Sequence, residues 1–397
     1  MYKNNIYRNE LSLFFKDYII WIAEVCKDKN IEKIFFFTRE GVFFKQIYDK
    51  LKDLNEQLSW PSAEILEVSR VSTFALSVGS VDTESFMRMW TLYKTQSVRA
   101  FLLSLGEEPE DYQDLIGRCG LRPEEPVEEP WSDERIKRFL DDSETKAKLQ
   151  TGIDAKKRQL YRYFEEKGWN RQKQQRFAVV DIGWRGTIQD NICLLFPHTA
   201  IEGFYLSLAP FLNCQPANAV KHGFLDRNSS RIVLRYPTPV EMLCNTSGGS
   251  VAGYDKGRAI RICEEGEESV FRDFTGYAQQ EIIRGINVHN MKQPGDMRAL
   301  DHLLLNPEKR MVKAFFSLKH NELFGAGEIT DKKRAISKKY FIKALYSGQA
   351  RRELKMFLWK TSWPQGYLVL QHMRTLVRVY NYILKKEFID GQDNRKN

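Results

Sequence analysis

Two short apolar runs of the chain each end at a polar, glycine-containing turn and are followed by a helical pattern. The first run, residues 35–37, leads into the turn at 38–41, and the second, residues 179–180, leads into the turn at 181–187. A continuous apolar run before such a turn is typical of a buried strand of a parallel sheet. The following helix begins with unpaired backbone N–H groups at the positive end of its dipole, so both turns are predicted to bind anions.

The remaining pattern of apolar and polar positions predicts an α/β fold with a parallel, Rossmann-like sheet. Helical spacing of apolar residues alternates with short apolar runs along the first half of the chain. The predicted elements are, in chain order, helix 10–29, strand 33–37, helix 42–54, strand 65–68, strand 177–181, helix 187–195 and strand 201–208.

The same pattern predicts two regions. Residues 1–265 form the α/β core, with a charged helical insertion at about 83–167 whose acidic, proline-containing stretch 107–142 is expected on the surface. Residues 266–397 form a helical and basic C-terminal region. A helix at 366–386 carries an apolar stripe, which we interpret as packing on the core rather than as a membrane or partner surface.

Composition narrows the class of protein. A chain of 397 residues, 42% of them hydrophobic, can bury a large core. No apolar run reaches membrane-spanning length, and the N-terminus lacks the pattern of a secretory signal, so a soluble cytoplasmic protein is expected. The six cysteines and six histidines have no spacing typical of a zinc or redox site. The net charge of +9 favours nucleic acid, an anionic membrane or phosphorylated substrates, without choosing among them.

Each of the two turns also has a purely structural interpretation. Arg39 could form a surface salt bridge with Glu40 or Glu67, and Glu40 could compensate the dipole of the following helix. An aspartate such as Asp181 at a strand end also occurs in α/β proteins that bind nothing there. The carboxyl ends of neighbouring parallel strands meet at one edge of the sheet, however. The joint occurrence of both turns therefore favours a shared site for a ligand with two separated phosphate groups.

Two further segments add candidate residues to this edge. Ser69 and Arg70 follow the predicted strand at 65–68 and bring another cation. Glu241 precedes a Gly-Ser segment at 247–254, which could close over a sugar or could be an ordinary hairpin. The turn W-P-Q-G at 363–366 is interpreted as structural.

Taken in this order, the motifs F-T-R-E-G, S-R, V-D-I-G-W-R-G-T-I-Q, E-M-L with G-G-S-V-A-G-Y, and W-P-Q-G resemble the glycan phosphoribosyltransferase domain of bacterial ribofuranosyltransferases. Those proteins build ribofuranose into surface polysaccharides. The resemblance covers about residues 13–380 and implies a phosphoribosyltransferase-like core. The haloacid-dehalogenase-type phosphatase domain that is commonly fused in the family has no counterpart in this sequence, so a separate phosphatase is expected to act on the product.

The resemblance implies a transferase that uses 5-phosphoribosyl-1-diphosphate as donor and a glycan hydroxyl as acceptor in O-antigen or capsule synthesis, and releases pyrophosphate. It implies Mg²⁺ held mostly by the substrate and no nucleic-acid partner. A lipid-linked acceptor would place the protein peripherally on the inner face of the cytoplasmic membrane. Two rival interpretations are a sugar-nucleotide glycosyltransferase, whose common D-x-D motif is missing, and a non-catalytic glycan-binding assembly protein.

The resemblance also assigns roles to residues of this chain. Arg39, helped by Arg70, is expected to bind the pyrophosphate, the turn at 183–187 the 5-phosphate, and Asp181 the ribose hydroxyls or the metal. The predicted catalytic residues, any of which could be the base, are Glu40, Asp181 and Glu241. The predicted substrate-binding residues are Thr38, Arg39, Gly41, Ser69, Arg70, Gly183, Trp184, Arg185, Gly186, Thr187 and Tyr254.

Overall fold

The computed structural model of the protein describes residues 6–263, 266–318, 341, 343, 344 and 346–393. Within these residues, five parallel strands form a central sheet, and two pairs of short antiparallel strands lie outside it. The strands are β1 (Lys33–Phe37), β2 (Ser62–Leu66), β3 (Thr95–Gln96), β4 (Val127–Glu128), β5 (Gln175–Asp181), β6 (Thr199–Tyr205), β7 (Ala219–Gly223), β8 (Ser250–Asp255) and β9 (Arg258–Ile262).

Helices cover the sheet and make up the C-terminal region. Single turns of 3₁₀-helix lie at Pro109–Tyr112 and Val288–Asn290, and π-helical turns at Tyr7–Leu11 and Phe271–Thr275. The α-helices are α1 (Ser12–Asp28), α2 (Gly41–Leu54), α3 (Arg70–Ser77), α4 (Thr83–Trp90), α5 (Val98–Ser104), α6 (Gln113–Arg118), α7 (Glu134–Asp141), α8 (Ser143–Glu166), α9 (Thr187–Leu195), α10 (Arg231–Arg235), α11 (Thr238–Cys244), α12 (Glu267–Val270), α13 (Gly276–Gly285), α14 (Ala299–Leu305), α15 (Lys309–Ser317), α16 (Gly348–Lys360), α17 (Pro364–Leu370) and α18 (Arg374–Asp393).

The central sheet has the strand order β2-β1-β5-β6-β7, and all its neighbouring strands are parallel. The chain moves outward in one direction from β1 to β2 and in the other from β5 to β7. The order therefore reverses between β1 and β5, which leaves a crevice at the carboxyl ends of these two strands, where ligands of such sheets bind. The predicted α/β class with a parallel, Rossmann-like sheet is confirmed.

Successive side chains of the strands enter two different hydrophobic cores, one on each face of the sheet. Ile34 and Phe36 of β1 pack with α1, α2 and the C-terminal helices, whereas Phe35 and Phe37 pack with α3, α8 and α9. Burial on both faces explains why β1 is a continuous apolar run rather than an alternating one.

The insertion at 83–167 is helical, as predicted, but its acidic stretch is more than a surface segment. Tyr112, Ile116 and Phe139 are at most 1% exposed and belong to the second core. Their charged neighbours face solvent, which accounts for the acidic composition. The stretch is therefore part of the layer that covers one face of the sheet.

The single C-terminal helix predicted from the sequence is interrupted in the structure. In place of one helix at 366–386, α17 and α18 are separated at residues 371–373, where His372 has a positive φ of 59°. The apolar stripe predicted for this segment is buried at Met373, Val377 and Leu384, so the interpretation that it packs on the core is confirmed. No helix in the described parts of the chain is both long and apolar enough to cross a membrane.

Strand positions away from β1 and β5 were predicted less well. The predicted strands at 65–68 and 201–208 lie at Ser62–Leu66 and Thr199–Tyr205. The edge strand β7 was not predicted. The Gly-Ser segment at 247–254 forms most of β8, which pairs with β9 in a hairpin.

Candidate functional site

A cavity of about 430 Å³ opens at the carboxyl ends of β1, β2 and β5. It lies where the strand order of the sheet reverses, which is where a ligand was expected. Arg39 and Asp181 both line it, so the two predicted turns share one site. The predicted residues that line the cavity are Thr38, Arg39, Glu40, Ser69, Arg70, Asp181, Gly183, Trp184, Arg185, Gly186, Thr187 and Glu241.

The turn after β1 is fastened to the turn after β2. The Thr38 hydroxyl donates to the Val68 carbonyl and accepts from the Val68 N–H, both at 3.1 Å. Among the described residues, the non-proline cis peptide bonds are Thr38–Arg39 and Gly183–Trp184, one in each of the two turns. The hydrogen bonds of Thr38 hold the first turn beside the turn after β2, and Arg39 and Glu40 line the cavity there.

Arg39 forms an ion pair that the sequence did not predict. Its guanidinium contacts the buried carboxylate of Glu267 on α12, so the suggested partners Glu40 and Glu67 are wrong. Glu67 instead pairs with Arg261 of β9 at 2.6 Å. The Arg39 side chain remains 28% exposed and lines the cavity. The C-terminal region thus contributes a carboxylate that orients an arginine of the site.

The turn after β2 supplies one structural residue and one cation. The Ser69 hydroxyl accepts the Ser72 N–H at 3.0 Å, which caps α3, and donates to the Val251 carbonyl of β8 at 2.6 Å. Arg70 is exposed and contacts the hydroxyl of Tyr93, another residue that lines the cavity. Ser69 therefore holds the hairpin in place, while Arg70 adds positive charge to the rim.

The turn after β5 requires glycine at two positions. Gly183 has a φ of 147°, and a Cβ there would lie 2.7 Å from the Ser207 carbonyl oxygen. Gly186 has a φ of 65°, and a Cβ there would lie 2.5 Å from the Tyr205 hydroxyl. Among the side chains that the structure describes, none caps α9, whose first N–H groups have no intrahelical partner. Because Thr187 lines the cavity, this helix start can receive a phosphate.

Two buried polar residues that the sequence analysis did not identify, Lys221 and Gln189, hold the elements around this turn together. Lys221 of β7 donates to the Arg185 carbonyl at 2.8 Å and pairs with Asp190 of α9 at 2.6 Å. Gln189 accepts from the Tyr205 hydroxyl at 2.7 Å and donates to backbone carbonyls of the sheet. The glutamine that ends the V-D-I-G-W-R-G-T-I-Q block is therefore a structural residue. No local sequence signal marks Lys221, because β7 is a partly exposed edge strand.

Asp181 is a buried carboxyl group at the end of β5, where the second turn begins. It is 7% exposed, and its Oδ1 accepts the N–H of Ile182 at 2.8 Å. Burial, followed by the nearby charge of Glu40, raises the pKa of Asp181 to about 8, with a smaller contribution from Glu241. The positive charge of Arg70 opposes this change. Burial and Glu40 therefore favour the neutral form of Asp181, and a cationic group in the cavity would favour its ionised form.

Glu241 reaches the cavity from α11 rather than from the sheet. Its Oε1 accepts the indole N–H of Trp184 at 2.7 Å. Burial raises the pKa of Glu241, and this hydrogen bond is the strongest opposing influence. Glu40, Asp181 and Glu241 thus share one cavity. In the part of the chain that the structure describes, no three His, Cys, Asp or Glu side chains are close enough together to hold a metal ion by themselves.

The structure does not bring Gly41 or Tyr254 to the cavity wall. Gly41 begins α2, where a Cβ would lie 2.9 Å from the Phe36 carbonyl carbon, so it permits the close packing of α2 on β1. The Tyr254 hydroxyl donates to the Glu67 carbonyl at 2.8 Å, and its ring stacks on Tyr163. Both residues have structural roles, and the prediction that they contact a substrate has no support in the geometry.

Comparison with known proteins does not assign a function to this cavity. No protein-family model matches the chain, and no curated protein is significantly similar to it in sequence. The resemblance to glycan phosphoribosyltransferases therefore stays a hypothesis based on the sequence motifs.

Proposed function

We propose that this protein transfers a 5-phosphoribosyl group from 5-phosphoribosyl-1-diphosphate to a glycan hydroxyl in the synthesis of a bacterial surface polysaccharide. One observation carries the proposal: two turns suited to phosphate open onto one cavity, which Asp181 also lines. A small sugar with phosphate groups at both ends matches that arrangement. A ligand with a single phosphate would leave one of the turns unused.

The two ends of the donor differ in charge, and so do the two turns. The pyrophosphate would lie at the turn after β1, where Arg39 and Arg70 supply two cations. A guanidinium has five N–H donors, so the ion pair with Glu267 is compatible with contacts to phosphate oxygens. The 5-phosphate would lie at the start of α9, with Arg185 beside it. The ribose hydroxyls would then face Asp181.

Asp181 is also the residue of the site that best fits Mg²⁺. Magnesium keeps several waters and is commonly held by one or two carboxylates together with substrate phosphates. A cation near Asp181 would offset the repulsion from Glu40 that raises the pKa of Asp181. When bound, the metal would neutralise charge on the departing pyrophosphate.

Glu241 is the carboxylate placed to act as the base. The acceptor oxygen forms a bond to C1 of the ribose while the bond from C1 to the pyrophosphate oxygen breaks and its electron pair leaves with pyrophosphate. The hydroxyl proton passes to a carboxylate oxygen of Glu241. Asp181 and Glu40 lie at the sheet edge with the donor turns, whereas Glu241 comes from α11 and is held by Trp184. Burial raises the pKa of Glu241, which makes its carboxylate a stronger base.

Incubation with the donor, Mg²⁺ and a panel of glycan acceptors tests the proposal. We expect release of pyrophosphate and a product that mass spectrometry shows to carry an added pentose phosphate. Release of a nucleoside diphosphate from a sugar nucleotide would instead assign a different glycosyltransferase activity. Glycan binding without turnover, unchanged in Asp181→Asn and Arg39→Ala, would assign a binding protein.

The substitution Arg39→Ala is expected to raise the KM for the donor by about 10², because a charged hydrogen bond to pyrophosphate is lost from a partly buried position. Arg39→Lys should recover part of the affinity, since it restores the charge but not the planar donor geometry. The matched control is Arg272→Ala, which removes an arginine that is 76% exposed and lies outside the cavity. Donor titrations that give the same KM for Arg39→Ala and for Arg272→Ala would contradict the assignment.

A further inference from the structure

A second cavity, of about 280 Å³, adjoins the donor cavity. Thr187 lines both cavities, and the second one continues along the face of α9 that also carries Asp190 and Leu194. Its other walls are Phe74 of α3, Arg88 of α4 and the segment 213–216, which leads towards β7. The Asn213 side chain donates to the Arg88 carbonyl at 3.0 Å, so the segment is attached to α4.

Arg88 brings a positive charge into this cavity without a carboxylate partner at ion-pair distance among the described residues. Its guanidinium donates to two neutral groups, the Ser77 hydroxyl at 3.1 Å and the Asn191 side-chain oxygen at 2.5 Å. Burial lowers the pKa of Arg88, and the charge of Asp190 opposes that effect. An arginine stays protonated in proteins, so the charge persists.

The other charges of the cavity cancel each other. Asp190 pairs with Lys221 at 2.6 Å, and both side chains are almost fully buried. The cluster formed by Arg88, Asp190 and Lys221 therefore has one net positive charge next to a space that a ligand can enter. A carboxylate or a phosphate is the group that would neutralise it, and a guanidinium binds either one through paired hydrogen bonds.

We infer that the second cavity is a subsite for an acidic sugar unit whose carboxylate or phosphate pairs with Arg88. The apolar side chains of Leu194 and Pro216 would contact the non-polar face of the sugar ring. The identity of this sugar as part of the acceptor rests on the proposed function, because an acceptor chain that enters the donor cavity past Thr187 would place a neighbouring unit here. Binding of the acidic sugar itself does not depend on the transfer reaction.

A natural thiol reports on occupancy of the subsite. Cys214 is exposed and lines the second cavity, whereas Cys263 is exposed and lies outside it. We expect glucuronate or glucose 1-phosphate to slow the modification of Cys214 by iodoacetamide several-fold and saturably, with Cys263 as the internal reference. The two sugars distinguish a carboxylate from a phosphate, and neutral glucose should give no protection.

The variant Arg88→Gln is expected to abolish protection of Cys214 while the affinity for the phosphoribosyl donor stays unchanged. Because Arg88 also joins α4 to α9, a second variant tests the subsite in case Arg88→Gln does not fold. Leu194→Trp changes a side chain that is 46% exposed and should narrow the cavity, weakening protection without altering the guanidinium.

Protection of Cys214 by neutral glucose, or protection that survives in a folded Arg88→Gln variant, would overturn the inference. So would transfer activity in the absence of protection by either acidic sugar, a result that leaves the proposed function standing. Protection by an acidic sugar in a protein that does not bind the phosphoribosyl donor would uphold the subsite and reject the proposed function. The two failures are therefore distinguishable.

Discussion

Replacing Asp181 by asparagine is expected to abolish transfer and at the same time to stabilise the fold. Asparagine keeps the size of the side chain and its hydrogen bond from Ile182, but it cannot provide the carboxylate that we assign to the ribose hydroxyls and to Mg²⁺. Loss of such an electrostatic contact should lower kcat by about 10³. Release of pyrophosphate, measured with saturating donor and acceptor, checks this part of the prediction.

The gain in stability follows from the raised pKa of Asp181. Its pKa is about 8 in the folded protein against an ordinary value of 3.8. Between these two values the folded protein holds a proton that the unfolded chain has lost, so the contribution of Asp181 to the free energy of unfolding falls as the pH rises. The neutral amide of the Asp181→Asn variant has no such dependence. The variant should match the parent near pH 4 and exceed it by a few kcal/mol at about pH 8, since each pKa unit corresponds to about 1.4 kcal/mol.

Asp301→Asn is the matched control for this experiment. Asp301 lies on α14, is 5% exposed, and has a pKa that burial raises to about 6. Its replacement should also stabilise the protein, by a smaller gain that develops between about pH 4 and about pH 6 and persists at higher pH, and should leave transfer intact. Urea denaturation at several pH values measures both variants. Retained transfer in Asp181→Asn, or a stability gain that does not grow with pH, would contradict the role of Asp181.

The parts of the site that local sequence determines were predictable. The bounds of β1 and α9 are those expected, because an apolar run followed by a glycine turn is a local signal. The sequence also predicted that Arg39 and Asp181 would line one cavity, since this requires only that two parallel strands be neighbours. The glycines at 183 and 186 belong to the predicted turn, but the protein atoms that require them, the Ser207 carbonyl oxygen and the Tyr205 hydroxyl, come from the neighbouring strand β6 and the residues after it and were not predictable.

Contacts between distant parts of the chain were not predictable. Glu267 lies 228 residues after Arg39, and a salt bridge with a nearer glutamate was as reasonable on sequence. Lys221 comes from an edge strand without a strong apolar pattern. Tyr254 occupies a glycine-rich segment typical of a mobile loop, but that segment pairs with β9, and the tyrosine hydroxyl is used within the fold.

The second large effect is expected for Glu241→Gln, which should lower kcat by about 10² to 10⁴, the usual contribution of a general base. The KM for the donor should change little, because the amide oxygen of glutamine can still accept the indole N–H of Trp184 and so keep the turn after β5 in place. The matched control is Glu281→Gln on α13, a glutamate that is 8% exposed and lies outside the cavity. Equal kcat values for the two variants would mean that another carboxylate accepts the proton.

The dependence of kcat on pH separates a base from a merely structural glutamate. A base must be ionised, so kcat of the parent should fall as the pH drops below the raised pKa of Glu241. The hydrogen bond from Trp184 lowers that pKa, so Trp184→Phe should move the acidic limb to higher pH while kcat at high pH approaches that of the parent. The residual activity of Glu241→Gln should lack this limb. An acidic limb that stays in place in Trp184→Phe would show that the titrating group is not Glu241, because its strongest charge-stabilising contact would have been removed without effect.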